Sequence, residues 1–186
     1  MDWVFSVRQI LLLFASETSI QCRFALRAGG LLRASLSARD TELVFLHVQT
    51  FLVAAANVSK ILWPPAPPPW RRREPEWRRR GEILRQLFGV PEDSILAPRT
   101  FRDHFEHFDE RLESWTMSSP RRNFVDMNIM PPGAIAGVDP HDFHRNLDPS
   151  SLILTFGGDT YDIPKVEAAL KGIVQTAEYT KLALLR

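Results

Sequence analysis

A mainly α-helical fold, a four-helix-type bundle with a small C-terminal β-hairpin plus helix, is predicted by three features of the sequence. Apolar residues recur at helical spacing through the first sixty positions, prolines and glycines interrupt the chain where helices of ordinary length would end, and a short alternating stretch surrounds Gly157-Gly158. The 186 residues, 45% hydrophobic and 24% charged, suffice for a sizeable core and exclude global disorder, a collagen-like repeat and a disulfide scaffold.

The elements follow in order. Ile10, Leu13, Phe14, Ile20 and Phe24 recur at helical spacing over residues 4–27, and Gly29-Gly30 is expected to end that helix. Asp40 is a candidate N-cap for a second helix reaching Trp63, where Pro64, Pro65, Pro67, Pro68 and Pro69 stop it. A third helix is predicted over 77–88, closed by Gly89 and Pro91, and a fourth over 98–115. Residues 120–150 hold Pro131, Pro132, Gly133, Gly137, Pro140 and Pro149 without a sustained period. Such a segment either wraps the bundle or hides a short strand. Residues 152–156 and 159–163 flank a two-residue turn, and Pro164 opens a last helix with Val166, Leu170, Ile173, Val174 and Ala177 on one face. Two regions are therefore expected: a bundle over 1–118 with a Pro/Arg-rich linker at 64–80, and an irregular segment, hairpin and helix over 119–186 packed on it.

Charge and cysteine usage narrow the function. The 23 Lys+Arg against 22 Asp+Glu leave a net charge of +1, so any attraction to nucleic acid or membrane must be local. A single cysteine, Cys22, provides neither an internal bridge nor a Cys-based zinc site, and a cytoplasmic location is expected. The apolar N-terminus carries Asp2 and Arg8 and is not expected to be a signal peptide. Residues 43–63 are apolar enough to consider as a membrane span. His47, Gln49, Thr50, Asn57 and Ser59 instead suit the buried centre of a soluble bundle, with no membrane partner.

Two segments carry candidate chemistry. Trp70-Arg71-Arg72-Arg73 and Trp77-Arg78-Arg79-Arg80 echo each other at seven residues. Their arginines either form a solvated loop that pairs with acidic helices, or bind phosphates while the indoles stack on bases. In the second segment, residues 101–115, Phe101, Phe105, Phe108, Leu112 and Trp115 form a narrow stripe expected in the core, and the remaining faces are charged.

Arg102-Asp103-x-x-x-His107 in this late helix resembles the signature of HEPN domains: an arginine, a small polar residue, three variable residues and a histidine. The motif covers six residues, and Arg99 to His104 also satisfies its Arg-x4-His part. The resemblance implies a metal-independent endoribonuclease. His107 would assist proton transfer during 2′-hydroxyl attack, Arg102 would stabilise the phosphate oxygens, and Asp103 and His104 would be auxiliary polar groups. On one straight helix, five residues set Arg102 and His107 about 140° apart, so the site would straddle a helix start or be completed across a homodimer. The family also contains non-catalytic members, which leaves a helical adaptor or nucleotide-binding module, for example in a defence or toxin–antitoxin system, as the alternative.

The same residues also fit a plain surface helix. Arg102 can pair with Glu106, and Asp103 with His107, both at i+4. Five acids against two arginines repel RNA unless the Arg-rich linker offsets them. His104-x-x-His107 and His141-x-x-His144 have ligand-compatible spacing, but nothing in the pattern makes them converge, and neither metal nor cofactor is expected. RNA, a second copy of the chain and a protein partner are the expected partners. No Walker-type loop, Rossmann fingerprint, G-x-S-x-G elbow or H-E-x-x-H occurs.

Overall fold

A computed structural model describes residues 7–64, 75–98, 108–119 and 122–185, without the side chains of 75–78 and 140. Helix α1 spans Val7–Ala38. It passes straight through Gly29-Gly30, where the sequence suggests a stop. The reason is tertiary: a Cβ on Gly29 would lie 2.0 Å from Oε1 of Glu167 on the last helix, so glycine is there for close packing. Contacts of that kind offset the roughly 1 kcal/mol that each glycine costs a helix. Most buried positions of α1 are small, among them Ala15, Ser19, Cys22, Ala25, Ala28 and Gly29, which lets neighbours approach on more than one side.

A two-residue reversal leads to α2, Thr41–Leu62. The Arg39 N–H bonds to the Leu36 carbonyl and the Asp40 N–H to the Ser35 carbonyl, each at 3.1 Å, with Arg39 at φ 58°. This is a Schellman ending built on arginine instead of glycine. Asp40 then caps α2 as expected, accepting the Leu43 N–H at 3.0 Å.

Helix α3, Pro75–Phe88, crosses the end of α2. Gly81 sits so close that a Cβ would meet the Leu62 carbonyl oxygen at 2.5 Å. Arg85 reaches the same carbonyl, a cation at the negative end of a helix. Gly89, at φ 65°, closes α3, and the turns that follow bury Leu96.

Helix α4, Phe108–Ser118, departs from expectation. Phe108 and Leu112, assigned to the core from their stripe, are each 39% exposed. Trp115 is half-buried, and Phe101 and Phe105 lie outside the described residues. The helix rests on a small sheet instead of inside the bundle, so only part of its apolar edge is covered.

That sheet has the order β1-β2-β3-β4, from β1 Asn128–Ile129, β2 Arg145–Leu147, β3 Ile153–Phe156 and β4 Asp159–Asp162. β1 pairs parallel to β2 and the remaining pairs are antiparallel. The irregular segment thus hides two short strands and a 3-10 turn at Pro140–Asp142. The expected hairpin is present: Phe156 pairs with Asp159 across Gly157-Gly158, both at positive φ as a type I′ turn requires. Leu147, Leu154, Phe156 and Tyr161 are buried.

The last helix, α5, spans Ile163–Leu185 and runs antiparallel along α1. Its buried face is Val166, Leu170, Ile173 and Ala177. Arg33 holds Glu167 through two bonds of 2.7 and 2.9 Å, and Arg23 holds Glu178 at 2.9 Å. The sequence suggests 43–63 as the central helix, but α1 takes that place, packed against α2, α3 and α5. Helix α2 keeps one apolar face uncovered. Among the described residues it is the one helix long and apolar enough to cross a membrane, and 56% of its most apolar window is buried in the fold.

Candidate functional site

The motif residues Arg102, Asp103, His104 and His107 lie outside the described residues, as do Arg71, Arg72 and Arg73. Arg78 is described only as helical backbone. Arg79 is exposed on α3. Arg80 turns inward, with its guanidinium carbon 3.9 Å from the centre of the Phe14 ring, and burial lowers its pKa. Of the six linker arginines, only Arg79 among the described side chains faces solvent.

Where α4 meets the sheet, a compact aromatic cluster surrounds His144. Its imidazole is fully buried and stacks on Trp115 at 4.9 Å and 19°, with Phe156 edge-on at 5.1 Å and Phe108 at 5.8 Å. His144 Nδ1 lies 3.5 Å from Asp126 Oδ1, an ion-pair distance. Burial pushes Asp126 up, but bonds from Arg145, His144 and the Met127 N–H outweigh it and hold the carboxyl well below the usual carboxylate range. The Trp115 indole donates to the Asp142 carbonyl at 3.2 Å, and Ser119 Oγ bonds to the buried Asp142 carboxylate. These contacts fasten the end of α4 to the turn at Pro140–Asp142. The His144 ring is enclosed by Trp115, Phe156 and Phe108, so packing is the role its surroundings show.

A shallow cleft beside this cluster, about 70 Å³, is lined by Arg111, Ser114, Ser118, His141 and the Gly157-Gly158 turn. Arg111 approaches Asp159 at 3.9 Å. Among the described residues, no three His, Cys, Asp or Glu side chains group as metal ligands would. Cys22 is fully enclosed, and burial pushes its thiol up to about 12, so it is a small core residue without thiolate chemistry.

An open apolar groove lies on α1 and α2. It measures about 440 Å³ and runs between them, floored by Ala28 and Ala54 and walled by Phe24 and Leu31 of α1 and Leu46 and Val53 of α2. These four walls are 39 to 55% exposed. Asn57 Nδ2 donates to Gln21 Oε1 at 3.2 Å and sets the antiparallel register of the two helices. In that register Phe24 lies near the level of Val53 and Ala54, Ala28 near Thr50, and Leu31 near Leu46 and His47. Both rows follow the alternating spacing of three and four residues: Gln21, Phe24, Ala28, Leu31, and Leu43, Leu46, Thr50, Val53, Asn57. This is the spacing with which one helix seats against another. The sequence reading missed this face because α2 is apolar nearly all round, so its exposed residues do not differ in type from its buried ones.

No protein-family model matches the chain, and no match was found among curated proteins or solved structures.

Proposed function

We propose that the protein is a helical docking module whose working surface is the open α1–α2 face. The observation that carries this reading is the pair of three-four-spaced, mostly apolar rows bordering one groove, a surface that suits a helix. It agrees with the non-catalytic alternative that the HEPN resemblance leaves open. Arg27 and His47 are the ionisable residues that line the groove, and a partner helix can cover their apolar stems while their polar ends stay in water. The test uses a synthetic amphipathic peptide with leucines at alternating three-four spacing and glutamates on its flank. Fluorescence anisotropy should show saturable binding to the wild type that is lost in Leu46→Glu; equal binding to both proteins would overturn the proposal.

A second reading, a metal-independent ribonuclease using Arg102 and His107, is favoured by one observation. The cleft holding Arg111, Ser114 and His141 sits on α4, which begins directly after His107 in the sequence. Guanidinium, hydroxyl and imidazole groups are suited to phosphate contacts. Incubation of varied RNAs with the protein in excess EDTA separates the readings. The docking reading expects intact RNA. Cleavage to a 2′,3′-cyclic phosphate that falls by about 10²–10⁴-fold in folded His107→Ala and Arg102→Ala would establish the enzyme instead.

A further inference from the structure

We infer that the occupant of the α1–α2 face is a second copy of this chain, docked about a two-fold axis to give a four-helix seam. The inference rests on the docking reading above and names its partner.

The side chains along the face are arranged for self-pairing. In the register set by Gln21 and Asn57, the groove has three levels: Phe24 near Val53, Ala28 near Thr50, and Leu31 near Leu46. A two-fold axis perpendicular to the helices at the middle level sets the Phe24–Val53 level of one copy on the Leu31–Leu46 level of the other. The two outer layers then have the same composition, and the middle layer holds only alanine and threonine. Large outer layers around a small centre let two helix pairs approach closely where they cross. Any foreign helix would fill the groove from one side only, whereas the second copy supplies a face of matching length and spacing.

Area points the same way. Phe24 is 55% exposed, Leu31 45%, Leu43 42%, Leu46 53% and Val53 39%. Together they present roughly 400 Å² of apolar surface, on the scale of the large buried areas typical of such side chains. A standard interface covers about 800 Å² per partner, somewhat more than half of it apolar, so this face supplies nearly the whole apolar share of a stable dimer. Arg27 of both copies borders the seam, where its long stem can cover apolar surface while its head stays in water.

Sedimentation equilibrium over a wide concentration range tests the inference on wild type, Leu46→Glu, Thr50→Glu and the control Leu87→Glu, with thermal melts to verify folding. Leu87 is 42% exposed on α3 and does not line the groove. Wild type and Leu87→Glu should dimerise, whereas Leu46→Glu and Thr50→Glu should associate about a hundredfold more weakly or not at all. Two substitutions keep the test valid if one of them unfolds. A monomeric wild type, or a dimer that persists in a folded face variant, overturns the inference. The docking reading fails separately. A monomer that still binds the synthetic peptide through Leu46 leaves that reading standing without the second copy. A monomer that ignores the peptide and sediments with phosphatidylcholine–phosphatidylglycerol vesicles through the same residue makes the face a membrane surface and overturns both.

Discussion

The carboxylate of Glu167 on α5 occupies the space where a side chain on Gly29 of α1 would begin, 2.0 Å from an ideal Cβ. Arg33, one turn beyond Gly29, grips the same carboxylate through both of its terminal nitrogens and also bonds to the Gly29 carbonyl at 2.8 Å. One glycine therefore allows an ion pair to lie flat against the centre of the bundle, and Glu167 is only 7% exposed as a result.

The neighbouring glycine supplies the contrast. A Cβ on Gly30 meets nothing within 4 Å. Gly30→Ala is expected to stabilise the protein by about 0.5–1 kcal/mol through helix propensity. Gly29→Ala should destabilise it by about 1–2 kcal/mol, because the buried carboxylate must leave its partner. Urea unfolding of both variants checks the opposed signs, and equal effects would show that the approach of Glu167 is not what requires glycine.

Gly81 makes the tighter constraint, since its obstacles are the Leu62 carbonyl at 2.5 Å and Pro64 Cδ at 2.4 Å, neither of which can swing aside. Gly81→Ala is expected to cost about 2–3 kcal/mol by forcing α3 away from the end of α2. Thermal melting reads the cost. An unchanged melting temperature would mean that α3 does not pack there.

Asp126 predicts a pH dependence. Its folded pKa is lowered below the ordinary 3.8, chiefly because Arg145 and His144 outweigh the burial that would raise it. A depressed carboxylate contributes stability that is fully present above the unfolded value and is lost as pH falls through the folded one. Stability should therefore drop as pH falls below about 3.8, and Asp126→Asn should flatten that part of the profile. Glu178, held at about 2 by Ser19, Lys181 and Arg23, keeps some slope in the variant. Urea midpoints measured from pH 5 downward test this, and identical slopes would remove Asp126 from the acid response.

Much of the architecture was legible where a residue has one local job. Asp40 caps α2, Gly89 closes α3 and Gly157-Gly158 turns the hairpin because backbone geometry alone selects those residue types. Legibility failed where distant packing decides. Gly29 reads as a stop but serves Glu167, more than a hundred positions away. Strands β1 and β2, at two and three residues, are too short to show alternation and exist through their partners. Phe108 and Leu112 read as core from periodicity, yet α4 lies on the rim of a sheet that the sequence only partly announced. The docking face was hidden similarly. Leu46 and Val53 cannot be told from the buried Val48 and Leu52 by type, and only the fold shows which row is left open.

The most direct measurement compares two phenylalanines by hydroxyl-radical footprinting. Phe24 lies on the α1–α2 face and is 55% exposed; Phe124, which packs on Trp115 and does not line the groove, is 48% exposed. Two exposed rings of one residue type should oxidise at similar rates in a dilute, monomeric sample. A docked face requires that, as protein concentration rises, oxidation of Phe24 and Leu46 falls while that of Phe124 stays constant, and that Leu46→Glu abolishes the protection of Phe24. Equal oxidation of Phe24 and Phe124 at every concentration would contradict the docking of a second copy on this face.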